Sequence, residues 1–316
     1  MTQLRPIGQS LLTTPPLILG GNVFGWTADQ ATSFAVLDAF VAGGGTMIDT
    51  ADVYNKWVPG HVGGESETVI GAWLRHRGRR DDIQITTKVG MLPTAGGKEL
   101  EPGNIATAVE DSLRRLGTDY IDLYLAHRDD AKTDQAVVAQ SFDALVTAGK
   151  VRVIGASNFT ADRLDSAISA QTQGGFARYQ ALQNEYNLLE RGKYEGAVQD
   201  YCVEHGIGMT PYYGLAAGYL TGKYRNPEDI TGARAHSVGK YAKGKGPQVL
   251  AALDQVSAAH GVSLAVVALA WIAAQPGIAA PIASATSVKQ VEDLLGATRL
   301  TLTADDLATL NAASAP

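Results

Sequence analysis

The chain has 316 residues, 45% of them apolar and 18% charged, enough to bury a sizeable core, so intrinsic disorder and a disulfide-stapled miniprotein are excluded. The formal net charge of −6 gives no global electrostatic footprint for a nucleic acid. The longest apolar run, Leu264–Ala274, stops at Gln275-Pro276, short of the roughly 18 residues a membrane span needs. The single cysteine, Cys202, cannot form an internal disulfide, and Met1–Ser10 carries no basic segment followed by an apolar stretch. Together these fit a soluble protein in a reducing cytoplasm. Glycine is in excess, 35 residues without a collagen period, which implies many tight turns.

In chain order, Leu4–Thr14 with a turn signal at Gly8 is expected to form a small hairpin at the floor of the fold. Eight short apolar or β-branched runs then read as strands: Leu17–Gly20, Thr46–Asp49, Ile83–Val89, Ile121–His127, Val151–Ser157, Ala181–Tyr186, Gly208–Tyr212 and Ile278–Ser284. Between them lie amphipathic segments at about 29–43, 65–77, 104–116, 134–148, 160–172, 193–205, 248–274 (two helices broken at Gly261) and 287–295. Near-continuous apolar strands alternating with helices imply a parallel sheet, and eight such units fit a (β/α)8 TIM barrel better than an open doubly wound sheet. Tyr213–Pro247 falls outside the repeat and is read as a long, functional loop after the seventh strand. No break in composition marks a second domain, so residues 1–316 are expected to form one.

In such a barrel the active site lies at the carboxyl ends of the strands, which makes polar residues there the functional candidates. Asp49 ends the second strand, Lys88 the third and His127 the fourth, while Tyr54 sits on the loop five residues past Asp49. The four make a proton relay aimed at an oxygen. Lys88 is expected to lower the phenol pKa of Tyr54, Asp49 to keep Lys88 charged, and His127 to hydrogen-bond a substrate oxygen. The histidines at 61, 76, 127 and 205 lack metal-ligand spacing, so no metal site is predicted.

At these residues the sequence resembles the aldo-keto reductases. The resemblance is carried by Ile48-Asp49-Thr50-Ala51-Asp52-Val53-Tyr54 with Gly64-Glu65-Ser66-Glu67, by Thr86-Thr87-Lys88-Val89-Gly90, by Ser112–Leu116 through Asp119–Tyr124 to His127, by Gly149–Phe159, by Gln183–Leu188 and by Gly218–Tyr224. It implies an NAD(P)H-dependent oxidoreductase that reduces an aldehyde or ketone reversibly, with Tyr54 as general acid. The resemblance implies NADPH as the preferred cofactor, and NADH stays open as the alternative because Thr286, standing where some relatives carry a basic residue for the 2′-phosphate, weakens that preference. The implied cofactor contacts are Gly21, Asn22 and Asp49; Ser157, Asn158 and Gln183 on the carboxamide; and Tyr212 stacked on the nicotinamide. They continue with Tyr213, Gly214, Leu215 and Ala216 after the stacking aromatic, Lys223 and Arg234 closing over the pyrophosphate, and Ser284, Thr286, Gln290 and Asp293 around the adenosine phosphate. Trp26, Trp57 and Met91 join Tyr54 and His127 as expected substrate contacts. The resemblance also takes in a non-catalytic NADPH-binding regulatory branch in which the histidine position is altered, whereas His127 is present here. The expected partner is a small carbonyl or alcohol, neither nucleic acid nor membrane, and the sequence leaves monomer and homo-oligomer equally open.

Overall fold

A two-residue hairpin opens the chain, β1 (Arg5–Pro6) pairing antiparallel with β2 (Thr13–Thr14). The eight barrel strands follow: β3 (Ile18–Gly20), β4 (Met47–Asp49), β5 (Gln84–Val89), β6 (Ile121–Ala126), β7 (Val151–Ser157), β8 (Ala181–Gln183), β9 (Gly208–Met209) and β10 (Ile282–Ala283). The computed structural model describes residues 3–230 and 235–316. All eight strands pair in parallel, in the order β10-β3-β4-β5-β6-β7-β8-β9. Hydrogen bonds from Ala279 N–H to the Met209 carbonyl (2.8 Å) and from Ile282 N–H to the Pro211 carbonyl (2.9 Å) join the two ends of that order. The architecture is the expected (β/α)8 barrel with an N-terminal hairpin.

Helices α1 (Gln30–Ala42), α2 (Glu65–Arg77), α3 (Pro102–Leu116), α4 (Gln135–Thr147), α5 (Ala161–Gly174) and α6 (Ala197–His205) connect the strands up to β9. Their ends follow local chemistry: α3 starts on Pro102 and stops at left-handed Gly117, and Thr160 caps α5 by accepting from Arg163 N–H. Gly261, also left-handed, separates α8 (Gly246–His260) from α9 (Leu264–Ala273), after the short α7 (Ala235–Gly239). No single helix among the described residues is long and apolar enough to cross a membrane.

Three expectations need correction. Strands eight to ten are shorter than their apolar runs: Glu185 and Tyr212, like Met209 and Ile278, meet only in isolated bridges outside the continuous ladders. The long loop after the seventh barrel strand, 213–247, is present but carries local structure: short 3-10 turns within Ala216–Thr221, interrupted by a kink at Ala217-Gly218, a further turn at Pro227–Asp229, and α7. Past α10 (Val288–Leu294), a further helix α11 (Ala304–Ala313) starts on a capping box in which Thr303 and Asp306 bond each other's backbone.

Along β6 the side chains alternate: Leu123 and Leu125 point into the barrel with Met47, Ala181 and Ile282, while Tyr124 and Ala126 pack against the helices. Ile7 and Leu12 of the hairpin join the interior group, so the hairpin plugs the floor. Gly8 makes this possible, with φ of 60° and so close an approach to Gln180 that a Cβ would sit 2.1 Å from its carbonyl oxygen. Asp122, fully buried at the floor end of β6, accepts from Ile85 N–H (2.8 Å), Arg80 (2.6 Å) and Arg152 (3.0 Å).

Candidate active site

The carboxyl ends of β4, β5 and β6 bring Asp49, Lys88 and His127 together, and the turn after β4 folds Tyr54 back over them. Lys88 is completely buried, and its three ammonium protons have three acceptors: Asp49 Oδ2 at 2.8 Å, the Thr50 carbonyl at 2.7 Å and Tyr54 Oη at 2.9 Å. That saturates the donor capacity of a lysine and fixes its charged form in place. Burial still pulls the Lys88 pKa below its ordinary value, with Asp49 opposing the shift. The Tyr54 hydroxyl donates to Asp49 Oδ2 at 3.2 Å.

The expectation that Lys88 lowers the Tyr54 pKa is corrected. The phenol is pushed well above its ordinary value, first by burial and then by the negative charge of Asp49. Tyr54 is therefore a phenol that keeps its proton until a partner takes it. Burial also pushes His127 well below the usual imidazole range, reinforced by the positive charges of Lys88 and Arg128, so the ring is neutral. Its Nδ1 is enclosed without a hydrogen-bond partner, which leaves Nε2 as the nitrogen that can meet a ligand. The Tyr54 and His127 rings stand edge to face, centroids 6.1 Å apart.

Around this group the later strands supply an ordered polar floor. Gln183 Nε2 donates to Asp49 Oδ1 at 2.8 Å, which commits one of its amide protons and leaves the other and the carbonyl for a ligand. Ser157 Oγ donates to the main-chain carbonyl of Gln183 at 2.6 Å. Asn158, at a left-handed φ of 61°, is a hub: its amide nitrogen donates to the His127 carbonyl (2.9 Å) and Ser157 Oγ (3.0 Å), and its oxygen accepts from the Tyr212 hydroxyl (2.8 Å). Gly21 lies so near β4 that a Cβ would come within 2.9 Å of the Asp49 carbonyl oxygen.

The turn after β9 is strained, since Tyr213, Ala216 and Ala217 all have φ between 48° and 59°. Non-glycine residues in this region cost roughly 1–3 kcal/mol each and cluster at ligand clamps. Tyr213 is half exposed, Gly214 is buried, and Leu215 and Ala216 lead into the 3-10 turn. Lys223 is exposed, its ammonium 4.8 Å from the Tyr224 ring centroid. Arg234 lies outside the described residues.

After β10, Ser284 Oγ donates to Asn22, and Gln290 Oε1 accepts both from Thr286 N–H (2.8 Å) and from its hydroxyl (3.1 Å). Asp293 accepts from Ser263, the cap of α9, at 2.7 Å. Met91 and Trp57 are exposed, while Trp26 is partly exposed.

Sequence reading missed Asn55, Asn184 and Asp52. Asn55 adopts φ of 74° and donates from its buried amide to the Phe24 carbonyl at 2.6 Å, tying the loop after β4 to the loop after β3. Asn184 accepts from Asn158 N–H at 2.7 Å. Each is an asparagine next to a site residue, a type that tolerates left-handed backbone and bonds backbone groups, and this was the available signal. Asp52 is buried beside the Glu67–Arg115 ion pair (2.6 Å), and among the described residues neither of its carboxylate oxygens has a side-chain partner. Burial, with the charge of Glu67, pushes its pKa well up.

The profile of the Aldo/keto reductase family matches residues 16–315. "Protein tas" of Escherichia coli (strain K12) is 32% identical over 98% of this chain and 97% of its own length. "Aldo-keto reductase yakc [NADP(+)]" of Schizosaccharomyces pombe is 31% identical over 89% of this chain and 81% of its own. A "Probable voltage-gated potassium channel subunit beta" of Arabidopsis thaliana is 30% identical over 92% and 89%. With a family match that takes in all eight barrel strands and relatives aligned over most of their length, the chain belongs to the Aldo/keto reductase family.

Proposed function

We propose that this protein is an NAD(P)H-dependent oxidoreductase that reduces an aldehyde or ketone to an alcohol and runs the reverse reaction on alcohols. The observation that carries this reading is the Tyr54 hydroxyl, held within hydrogen-bond reach of a buried lysine and an aspartate and facing a neutral histidine. The site fits a nicotinamide. Ser157, Asn158 and Gln183 set amide and hydroxyl groups beside Asp49, and Tyr212 presents a half-buried ring. When bound, that group supplies the hydride acceptor or donor.

The chain's residues handle the proton. Tyr54 holds it and delivers it to the carbonyl oxygen, and Lys88 stabilises the phenolate left behind at 2.9 Å. Asp49 keeps Lys88 charged in a site where burial would otherwise neutralise it. Neutral His127 donates from Nε2 to the carbonyl oxygen and sets its angle. For the remainder of the cofactor, Tyr213–Ala216 and Lys223 follow the pyrophosphate, and Ser284, Thr286, Gln290 and Asp293 surround the adenosine end with Asn22. The relative named for NADP(+) supports NADPH as the preferred form.

The test is a panel of aldehydes, ketones and alcohols assayed with NADPH and NADH. Turnover with NADPH in excess over NADH is the expected outcome. Tight NADPH binding with no turnover of any carbonyl overturns the reading in favour of a regulatory subunit.

A further inference from the structure

The four tryptophans fall into two pairs. Trp73 and Trp271 are fully buried, and each indole N–H has an acceptor, Asp38 Oδ1 and Asn311 Oδ1 respectively, both at 2.8 Å. Trp26 and Trp57 stand at the barrel mouth, Trp57 51% exposed, and neither indole N–H has a partner among the described residues. A tryptophan left half in water with its polar handle free does not serve the core. The two meet edge to face at 5.8 Å and 81°, and Trp57 meets the Tyr54 ring at 6.1 Å and 64°. With His127 beyond Tyr54, an aromatic row runs from the rim to the reacting hydroxyl.

This row is pre-set. Trp26 follows β3 and Trp57 follows β4, and the loops bearing them are joined by the buried hydrogen bond from Asn55 to the Phe24 carbonyl. Val58 N–H donates back to Asn55, His61 N–H to Val58, and the Glu65 carboxylate accepts from the amides of Val62 (2.7 Å) and Gly63 (3.1 Å). The loop 55–63 is thus held from both ends, so a ligand that lies on Trp57 incurs little of the entropy cost of ordering it. What such a wall recognises best is another flat ring.

We propose that the Trp26–Trp57 wall, positioned by Asn55, makes this site selective for compounds whose carbonyl is attached to a planar aromatic ring, over saturated carbonyls of the same size. The inference rests on the carbonyl-reductase reading, and its test separates the two. Benzaldehyde and cyclohexanecarbaldehyde match in size and differ in planarity, so the ratio of their kcat/KM values is the readout. In Trp57→Leu, which keeps an apolar surface but no aromatic face, the ratio is expected to fall about fivefold, chiefly through the KM for benzaldehyde. Trp57→Phe is expected to keep most of it. An unchanged ratio in Trp57→Leu overturns the proposal. NADPH oxidation by propanal reports on the reductase reading alone. Should that reading fail, calorimetric titration of the NADP+-loaded protein with benzyl alcohol and cyclohexylmethanol still tests the wall, and equal affinities for the two overturn it.

Discussion

Two buried carboxylates sit at opposite ends of the barrel, and their surroundings differ in kind. Asp122, at the floor, accepts three hydrogen bonds from groups committed to it, and the Arg80 and Arg152 guanidinia that hold it also pack on the Tyr120 ring, at 4.3 and 4.0 Å from its centroid. Asp49, at the mouth, is bonded by Lys88, Tyr54 and Gln183, three groups to which the proposed function gives tasks of their own. The floor is closed by the hairpin residues Ile7 and Leu12. The mouth holds the His127 ring, two indoles whose N–H groups have no partner among the described residues, and a strained turn. On the proposed function the same kind of side chain is structural at one end of the barrel and chemical at the other, and what differs is the set of groups that bond it: two guanidinia and a backbone amide at the floor, an ammonium, a phenol and a side-chain amide at the mouth.

A pair of substitutions tests that division most strongly. Tyr54→Phe is expected to lower carbonyl turnover by about 10²–10⁴-fold, the usual worth of a positioned acid, while the unfolding midpoint barely moves. Asp122→Ala is expected to do the reverse. Removing one partner of a buried ion pair strands the other, at a cost of about 3 kcal/mol of unfolding free energy, and turnover per folded molecule stays near the parent value. Denaturant unfolding alongside kcat reads both, and the division breaks if either substitution moves the other's observable.

Asp52 sharpens it further, as a third buried carboxyl, one that no cation pairs with among the described residues. Its folded pKa is raised by burial and by Glu67, so the folded state binds its proton more tightly than the unfolded chain does. The stability this contributes is fully present below the ordinary carboxyl pKa of about 4 and is lost as pH rises toward the folded value. Asn at this position carries no such dependence. Urea unfolding of Asp52→Asn against the parent is expected to show a difference in favour of the variant that grows from pH 4 upward; a difference flat with pH would show that Asp52 ionises in the folded protein as freely as outside it.

Most of the fold was legible because burial writes itself into sequence periodicity: all eight barrel strands fall inside the apolar runs, and α1–α6 and α8–α10 fall on the amphipathic segments, while the short α7 lies in the stretch read as a loop. Helix α11 went unread, since its evidence is a polar signal, Thr303 followed three residues later by Asp306, not an apolar run. The four residues Asp49, Tyr54, Lys88 and His127 were legible from their position at strand ends. The sign of the Tyr54 shift was not, because it depends on how far burial and Asp49 outweigh Lys88, a balance of distances that no spacing encodes. Asn55 and Asn158 were equally opaque in their roles as ties, since a left-handed asparagine bonds residues 26 to 54 positions away.

The smallest effect belongs to the outer edge of the mouth, where charge meets water. Lys223 is exposed and rests near the Tyr224 ring, and among the described residues no carboxylate lies within 4 Å of its ammonium. If it follows the cofactor pyrophosphate, Lys223→Ala removes one exposed charge contact, worth about 1 kcal/mol, and raises the KM for NADPH about fivefold. Exposed charges are screened within a distance of about 8 Å at physiological ionic strength, so the effect is expected to shrink when salt is raised toward 1 M. Lys88, buried against Asp49 at 2.8 Å, is shielded from such screening, and the Tyr54-dependent turnover is expected to respond far less to the same salt. A KM for NADPH that is identical in Lys223→Ala and the parent at low salt assigns this lysine to the solvated surface, and the boundary of the functional mouth then falls inside the turn at Tyr213–Ala217.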